Sequence, residues 1–314
     1  ITFKVETGSQ PKLFLPEAIG QGVMLFDYDE DGDLDLYFAN GGELRATPSG
    51  RAFHNALYRN DGDWKFTDVT AGSGLECPEW SLGVYAVDYD NDGFDDVFVT
   101  QIGTNRMFRN LGGKRFEDVT EKVGLTDDRL SAGAAFFDAD ADGDLDLFVC
   151  NYVGFDIKNP PNKGIPCRWK ELDVCCGPRG LPEAKNVFYE NVGGRFVDAT
   201  TKAGFDVPKH GTYALGVVTA DYDRDGDTDV YVAVDSRPNL MFENLGGLRF
   251  KEVAHTWGVA LNSEGVEQAG MGVAAGDLNG DGWIDLFVTN FSHDTDTYYQ
   301  NAGQAKNVFF SDAT

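Results

Sequence analysis

The sequence is poor in positive charge: 26 Lys and Arg against 52 Asp and Glu leave a formal net charge of −26 over 314 residues. Nucleic acid and anionic membrane both demand a basic face, so neither is an expected partner. Long apolar runs are missing too. None approaches the ~20 residues of a membrane-spanning helix, and no transmembrane segment is expected. Histidine is scarce: His54, His210, His255 and His293 stand singly, and a lone histidine is more commonly structural than a ligand. There is no phosphate-cradling P-loop, no Gly-x-Gly-x-x-Gly turn opening a helix, no Cys-x-x-Cys-His haem signature and no paired Cys-x-x-Cys zinc knuckle. Spacing yields no nucleophile with its base, no open catalytic metal and no cofactor cradle, so the chain is expected not to be an enzyme.

What is present is acid in a fixed pattern. Within residues 26–38, FDYDEDGDLDLYF, Asp27, Asp29, Asp31 and Asp35 fall at positions 1, 3, 5 and 9 of a nine-residue loop, with Gly32 at position 6. The spacing recurs at Asp88/Asp90/Asp92/Asp96, Asp138/Asp140/Asp142/Asp146, Asp221/Asp223/Asp225/Asp229 and Asp277/Asn279/Asp281/Asp285, with Gly93, Gly143, Gly226 and Gly282 at position 6. Carboxylates this close repel one another unless a cation neutralises them, and hard oxygen ligands in a flexible loop suit Ca²⁺. Position 7 is Asp33, Phe94, Asp144, Asp227 or Trp283, which suits a residue giving its backbone carbonyl, with side-chain ligands at positions 1, 3, 5 and 9. About five Ca²⁺ are expected. An EF-hand would need a bidentate Glu at position 12 and flanking helices, whereas position 12 here is Phe38, Val99, Val149, Val232 or Val288. Plain acidic turns are the alternative, since Asp and Gly are common turn formers, but five copies at constant spacing weigh against it. Millimolar calcium is found outside cells, which favours a secreted, extracellular or periplasmic setting. The start at Ile1, without Met or signal peptide, reads as a processed mature form.

With 42% hydrophobic and 13% aromatic residues the chain can bury a large core. The loops are flanked by LDLYF, DDVFV, LDLFV, TDVYV and IDLFV, which are short, β-branched and aromatic, as strands are. Each loop therefore joins two strands of a hairpin. A Gly lies five residues before each first Asp, at Gly22, Gly83, Gly133, Gly216 and Gly272, as close backbone approach requires. A third strand follows, such as residues 55–60, then turn signals at Asp61-Gly62, Gly112-Gly113, Gly193-Gly194 and Gly246-Gly247. A fourth strand is expected at residues 66–70, 116–120, 196–200, 250–254 and 310–314, where FTDVT and its copies recur. Four strands per unit, the inner two apolar on both faces and the outer two alternating, predict an all-β β-propeller over residues 1–314. The span from Asp138 to Asp221 is longer than the other intervals, and its excess, residues 151–185, reads as a Cys- and Pro-rich inserted loop. A disulfide from Cys167 to Cys176 or Cys175 would pin it, free thiols being the other reading; Cys77 and Cys150 receive no pairing.

The series strand, DxDxDGxxD, strand, NxLYRN, FxDVT resembles the FG-GAP/VCBS repeat, the blade unit also found in integrin α-subunit propellers. More closely, residues 83–99, 239–258 and 269–291, with Cys167-Arg168 and Cys176-Gly177-Pro178, resemble the cartilage acidic protein and UnbV/ASPIC group. The resemblance implies four-stranded, calcium-binding blades, a Cys167 to Cys176 or Cys175 bridge and a secreted protein. Asn279 departs from the pattern and implies a weaker fifth site, and the group's C-terminal ASPIC segment is not seen.

Two functions are compatible with these residues. A non-catalytic scaffold for protein interaction, adhesion or assembly is preferred because every motif serves the framework. The alternative is a carbohydrate-binding or carbohydrate-active propeller, since Trp64, Trp80, Trp169, Trp257 and Trp283 offer faces for sugar rings, although all but Trp169 are expected to pack between blades. The sequon Asn290-Phe291-Ser292 lies within repeat sequence and is accounted for by structure. Residues 1–8, ITFKVETG, look like a sixth fourth strand beside five loop hairpins. That count predicts an open array belonging to a ring of about seven blades, the alternative being a five-bladed ring.

Overall fold

The structure is a computed structural model that describes residues 1–8, 14–42, 54–156, 159, 165–303 and 308–314, and of Trp169 the backbone only. It forms two compact units, Ile1–Ser131 with Gly154–Pro182, and Ala132–Val153 with Glu183–Thr314. Among the described residues the regular structure is almost all β.

The first unit holds two antiparallel sheets of four strands in sequence order. One is β1 (Val23–Phe26), β2 (Asp35–Phe38), β3 (Ala56–Asn60) and β4 (Phe66–Asp68); the other is β5 (Ser81–Val87), β6 (Asp96–Gln101), β7 (Arg106–Asn110) and β8 (Phe116–Asp118). The second unit opens with β9 (Ser131–Phe137), nearly all of which it contains, and β10 (Asp146–Asn151). An inserted hairpin, β11 (Cys167–Trp169) and β12 (Leu172–Val174), intervenes before β13 (Val187–Asn191) and β14 (Phe196–Asp198) complete that sheet. Two more sheets follow, β15 (Ala214–Ala220) to β18 (Phe250–Glu252) through β16 (Asp229–Val234) and β17 (Leu240–Asn244), and β19 (Gly270–Gly276) to β22 (Phe310–Asp312) through β20 (Asp285–Asn290) and β21 (Thr297–Asn301). Within the insertion Cys176, not Cys175, is bonded to Cys167. Residues 157, 158 and 160–164 of the stretch expected as a loop, and the side chain of Trp169, lie outside the described residues.

The second strand of each sheet has neighbours on both sides, and in β6, β10 and β16 every residue is buried. The first strands differ from expectation. They are apolar but sit at a sheet edge, and β15 and β19 are half-buried or exposed along most of their length. What they do require is proximity: a Cβ on Gly133 would lie 2.5 Å from the Leu215 carbonyl oxygen, and one on Gly216 2.9 Å from that of Met271, so the first strand of one sheet leaves no room for a side chain against the next.

The fourth strands are shorter than the sequence suggests, three residues each, because the FxDVT motif changes role partway. Its Asp accepts the N–H two residues on, as Asp68 does from Thr70, Asp118 from Thr120, Asp198 from Thr200 and Asp312 from Thr314, each at 3.0 Å. That turn breaks the ladder. The Thr hydroxyl then accepts an N–H from the third strand, from Leu57, Met107, Phe188 and Tyr298 at 2.9–3.0 Å. Single helical turns start there, α1 (Thr120–Val123), α2 (Thr200–Ala203) and α3 (Ala254–Trp257). Residues 1–8 are not a strand either. Phe3 stacks on Phe38 at 4.8 Å and the Glu6 N–H donates to the Asn40 side chain, contacts that place the segment against the first sheet without ladder pairing.

Two faces are bare. Leu36 and Phe38 of β2 are only half-buried and Val23 and Leu25 are 57% and 54% exposed, while Val97 and Val99, at the places of Leu36 and Phe38, are fully buried. In β20, Phe287 is 37% exposed where Phe98, Phe148 and Tyr231 are at 0%.

Within each unit the joint between neighbouring sheets is the asparagine that ends the third strand, Asn110, Asn244 or Asn301. Asn110 donates from its amide to the carbonyls of Asp95 in its own sheet and Tyr28 in the one before; Asn244 does the same to Thr228 and Ala139, and Asn301 to Ile284 and Tyr222. Buried carbonyls stripped of a donor are expensive. Asn244→Ala is expected to cost about 2–4 kcal/mol, read as a lowered urea midpoint. A substitution within about 0.5 kcal/mol of wild type would contradict this role.

Candidate metal centres

The five acidic loops share one hydrogen-bond cage. The position-1 carboxylate accepts the N–H groups of positions 5 and 6: Asp27 from Asp31 and Gly32, Asp88 from Asp92 and Gly93, Asp138 from Asp142 and Gly143, Asp221 from Asp225 and Gly226, and Asp277 from Asp281 and Gly282, all at 2.8–3.2 Å. The position-5 carboxylate accepts the N–H of position 7, from Asp33, Phe94, Asp144, Asp227 and Trp283 at 2.8–3.1 Å. A chain folded this tightly needs left-handed backbone at position 6, where Gly32, Gly93, Gly143, Gly226 and Gly282 have φ of 88–100°. Position 4 is left-handed as well, with φ of 57–62° at Glu30, Asn91, Ala141 and Arg224. Sequence gave no signal of this, because those four side chains have nothing in common.

Position 9 is the buried anchor. Asp35, Asp96, Asp229 and Asp285 are at 0% exposure and Asp146 at 2%. One oxygen of each accepts the N–H of position 2, from Tyr28, Tyr89, Ala139, Tyr222 and Leu278; the other accepts from the third-strand asparagine, Asn60, Asn110, Asn191, Asn244 or Asn301, at 2.7–2.8 Å. Those asparagines were missed as site residues. Their signal was their recurrence as the last residue of NxLYRN and its copies.

In four loops the carboxylates converge. Oxygens of Asp27, Asp29 and Asp35 lie within 4.8 Å of one another, as do those of Asp88, Asp90 and Asp96, of Asp138, Asp140 and Asp146, and of Asp221, Asp223 and Asp225. At position 3 the Oδ1 atoms of Asp29, Asp90 and Asp140 are buried without any hydrogen-bond donor. A buried carboxylate oxygen with no donor is costly, and a cation is the partner its charge calls for. The donor set, all hard oxygen, fits Ca²⁺. The fifth loop is arranged differently: the Asn279 amide accepts the N–H of Asp281 and donates to the Asp281 carboxylate at 2.9 Å, and Asp285 accepts from the Tyr298 hydroxyl at 2.9 Å. Arg224 of the fourth loop lies over the Trp283 ring at 4.2 Å and donates to the Gly282 carbonyl. Of the other indoles, Trp80 and Trp257 are buried as expected, whereas Trp64 is 79% exposed, since it sits on a left-handed residue of the turn before β4, its ring tilted by 56° to that of Phe66 at 6.4 Å.

Burial pushes four of the anchors toward the neutral acid. Asp35 rises to about 6, Asp96 and Asp146 to about 7 and Asp229 to about 8, the backbone N–H donors offsetting burial only in part. Burial raises Asp223 to about 6 too. A carboxyl whose folded pKa is raised contributes stability that is full below its unfolded pKa, near 4, and is lost as pH climbs through the folded value. Protein in calcium-free buffer is therefore expected to lose stability from pH 5 to pH 8, and saturating calcium, which binds the ionised carboxylates, should flatten or invert that slope. Urea midpoints at the two pH values decide it; calcium-free stability that is level or rises toward pH 8 refutes it.

No curated relative matches the chain in sequence. Among solved structures, a lectin of Agrocybe aegerita that recognises non-reducing terminal N-acetylglucosamine is similar at 17% identity and a TM-score of 0.45, over 92% of this chain and 64% of the lectin. The V. cholerae biofilm matrix protein Bap1 is similar at 13% identity and a TM-score of 0.42, over 97% of this chain and 40% of Bap1. The chain thus spans less than two thirds of either, and likenesses this distant are left without functional weight. The model of the FG-GAP-like repeat matches four times, at residues 27–99, 88–149, 171–232 and 221–288; three of the matches run from one acidic loop to the strand after the next, and the one at 171–232 runs from the inserted hairpin to the strand after the fourth loop. Covering most of the sequence with the elements that build the sheets and loops, these matches make the chain a member of the FG-GAP-like repeat family.

Proposed function

We propose that this chain is a β-propeller of the UnbV/ASPIC kind, stabilised by calcium in its inter-strand loops, that serves outside the cytoplasm as a non-catalytic scaffold for protein interaction or assembly. The observation that carries it is the repeated cage closing on donorless buried oxygens at Asp29, Asp90 and Asp140. In each loop the side chains at positions 1, 3, 5 and 9 would hold the ion, as in Asp138, Asp140, Asp142 and Asp146. Calcium supplies charge neutralisation there and no bond-making chemistry is assigned to it. The Cys167–Cys176 bond supports an oxidising compartment. The net charge of −26 opposes nucleic acid as the partner. No helix among the described residues is long and apolar enough to cross a membrane. Further blades against the bare faces of β2 and β20 would bury Phe38 and Phe287 as Val99 and Phe98 are buried, which supports a ring of more than five.

The carbohydrate-binding reading rests on Trp64, whose ring stands 79% exposed at a turn tip. A glycan array that retains wild-type protein and loses Trp64→Ala would install that reading in place of the first.

Calcium should act through stability. A site held at 100 times its dissociation constant adds about 2.7 kcal/mol, and several such sites rival the whole stability of a domain. The melting temperature is expected to fall by many degrees in excess EGTA and to recover on recalcification, and Asp138→Ala should remove one equivalent of bound calcium. Melting indifferent to the chelator would end the proposal.

A further inference from the structure

Taking the first four loops as cation sites, the reading proposed above, they are alike in their aspartates and unlike in what faces them. Each carries five: Asp27, Asp29, Asp31, Asp33 and Asp35 in the first, Asp88, Asp90, Asp92, Asp95 and Asp96 in the second, and five again in the third and fourth. Beyond positions such as 4 and 7, which vary within the loops, they differ in the third-strand residue just before the buried asparagine, which is Arg59, Arg109, Glu190 and Glu243 in turn.

Arg109 lies directly on its loop. Its Nε is 2.7 Å from an oxygen of Asp90 and its Nη2 donates at 2.8 Å to Asp92, so one guanidinium grips the carboxylates of positions 3 and 5. Arg59, at the matching place in the first sheet, makes its ion pair with Asp61 at 2.8 Å, outside its loop, and reaches the position-3 carboxylate of Asp29 only through its charge. At the third and fourth loops the same place bears a negative charge. Glu190 and Glu243, on the third strand at the place from which Arg109 reaches its loop, are 22% and 24% exposed. Each also pairs with a lysine that is 64% exposed, Lys202 at 2.7 Å and Lys251 at 3.8 Å, which offsets part of that charge and leaves the loop-facing carboxylate in place.

We propose that this third-strand residue grades the loops: Arg109 holds the second loop closed without an ion and makes it the weakest of the four for a divalent cation, while Glu190 and Glu243 make the third and fourth tighter. A cation entering the second loop must displace a resident charge from two of its ligands, or bind beside it. A cation entering the third meets one more carboxylate within Coulomb range. A unit charge a few ångströms from a divalent ion at a protein surface changes its affinity by about tenfold or more, less at high salt.

The test is calcium titration of the whole chain by calorimetry at low salt, for wild type, Arg109→Gln and Glu190→Gln, with melting in EGTA for each. Expected are at least two affinity classes in wild type, a gain of about tenfold in the weak class for Arg109→Gln together with a lower melting temperature in EGTA, and a loss of similar size in the tight class for Glu190→Gln. Arg109→Lys, which keeps the charge but not the two-point grip, should fall between. Calcium uptake with isotherms unchanged in both neutral variants overturns the grading and leaves the calcium reading standing; a wild type that takes up no calcium overturns both.

Discussion

A carboxylate buried without a counter-ion is the constraint from which the rest of this structure follows. The position-9 aspartate is sealed beneath each loop, its two oxygens taken by one N–H from the loop and one from the third strand. Those two bonds tie strand one, strand two and strand three at a single point. They do not discharge the group, which burial drives toward protonation at Asp35, Asp96, Asp146 and Asp229. In the first three loops the sheet is thus built around an electrostatic debt that a cation at the converging oxygens of positions 1, 3 and 9 would cancel.

The same point carries order outward. The asparagine whose backbone N–H satisfies the anchor uses its side chain to reach the previous sheet, at Tyr28 from Asn110 and at Ala139 from Asn244. Its Oδ1 meanwhile accepts the N–H of the following turn glycine, Gly113 or Gly246, at 2.8 and 3.0 Å. One residue therefore closes the loop, sets the turn and couples neighbours. Loss of an ion in one loop should reach the adjacent sheet through that residue, because a loosened anchor frees the asparagine that bridges to it.

The period of the sequence made much of this legible. Aspartates at positions 1, 3, 5 and 9 with Gly at 6 predicted five hairpins, and each loop is flanked by its pair of strands. Motifs were harder to read where one word serves two structures. FTDVT looks like a strand throughout, yet Asp68 turns the chain and Thr70 caps the strand behind it, since short polar side chains compete with ladder bonding. Residues 1–8 carry the same Phe and Thr spacing but have no ladder partner, and they pack Phe3 on Phe38 instead. Exposure at Trp64 and the grip of Arg109 were invisible for a different reason. Both depend on where a side chain points across a sheet, which the spacing of a single repeat does not encode.

Repetition also decides where specificity can reside. Residues held constant across the sheets, the anchors, the asparagines and the position-6 glycines, are committed to the framework, and recognition by them would be the same at every copy. Discrimination has to come from positions that break the repeat. Among the described residues these are few: the disulfide-closed hairpin of β11 and β12, the exposed indole of Trp64, the stacked pair Arg224 and Trp283, and the alternation of Arg109 with Glu190 and Glu243. The first two can face a partner. The last two act inward on the loops, so variation there would tune how much of the framework depends on the ions proposed for it, and a loop closed by Arg109 without an ion would keep a folded sheet to build on when calcium is low.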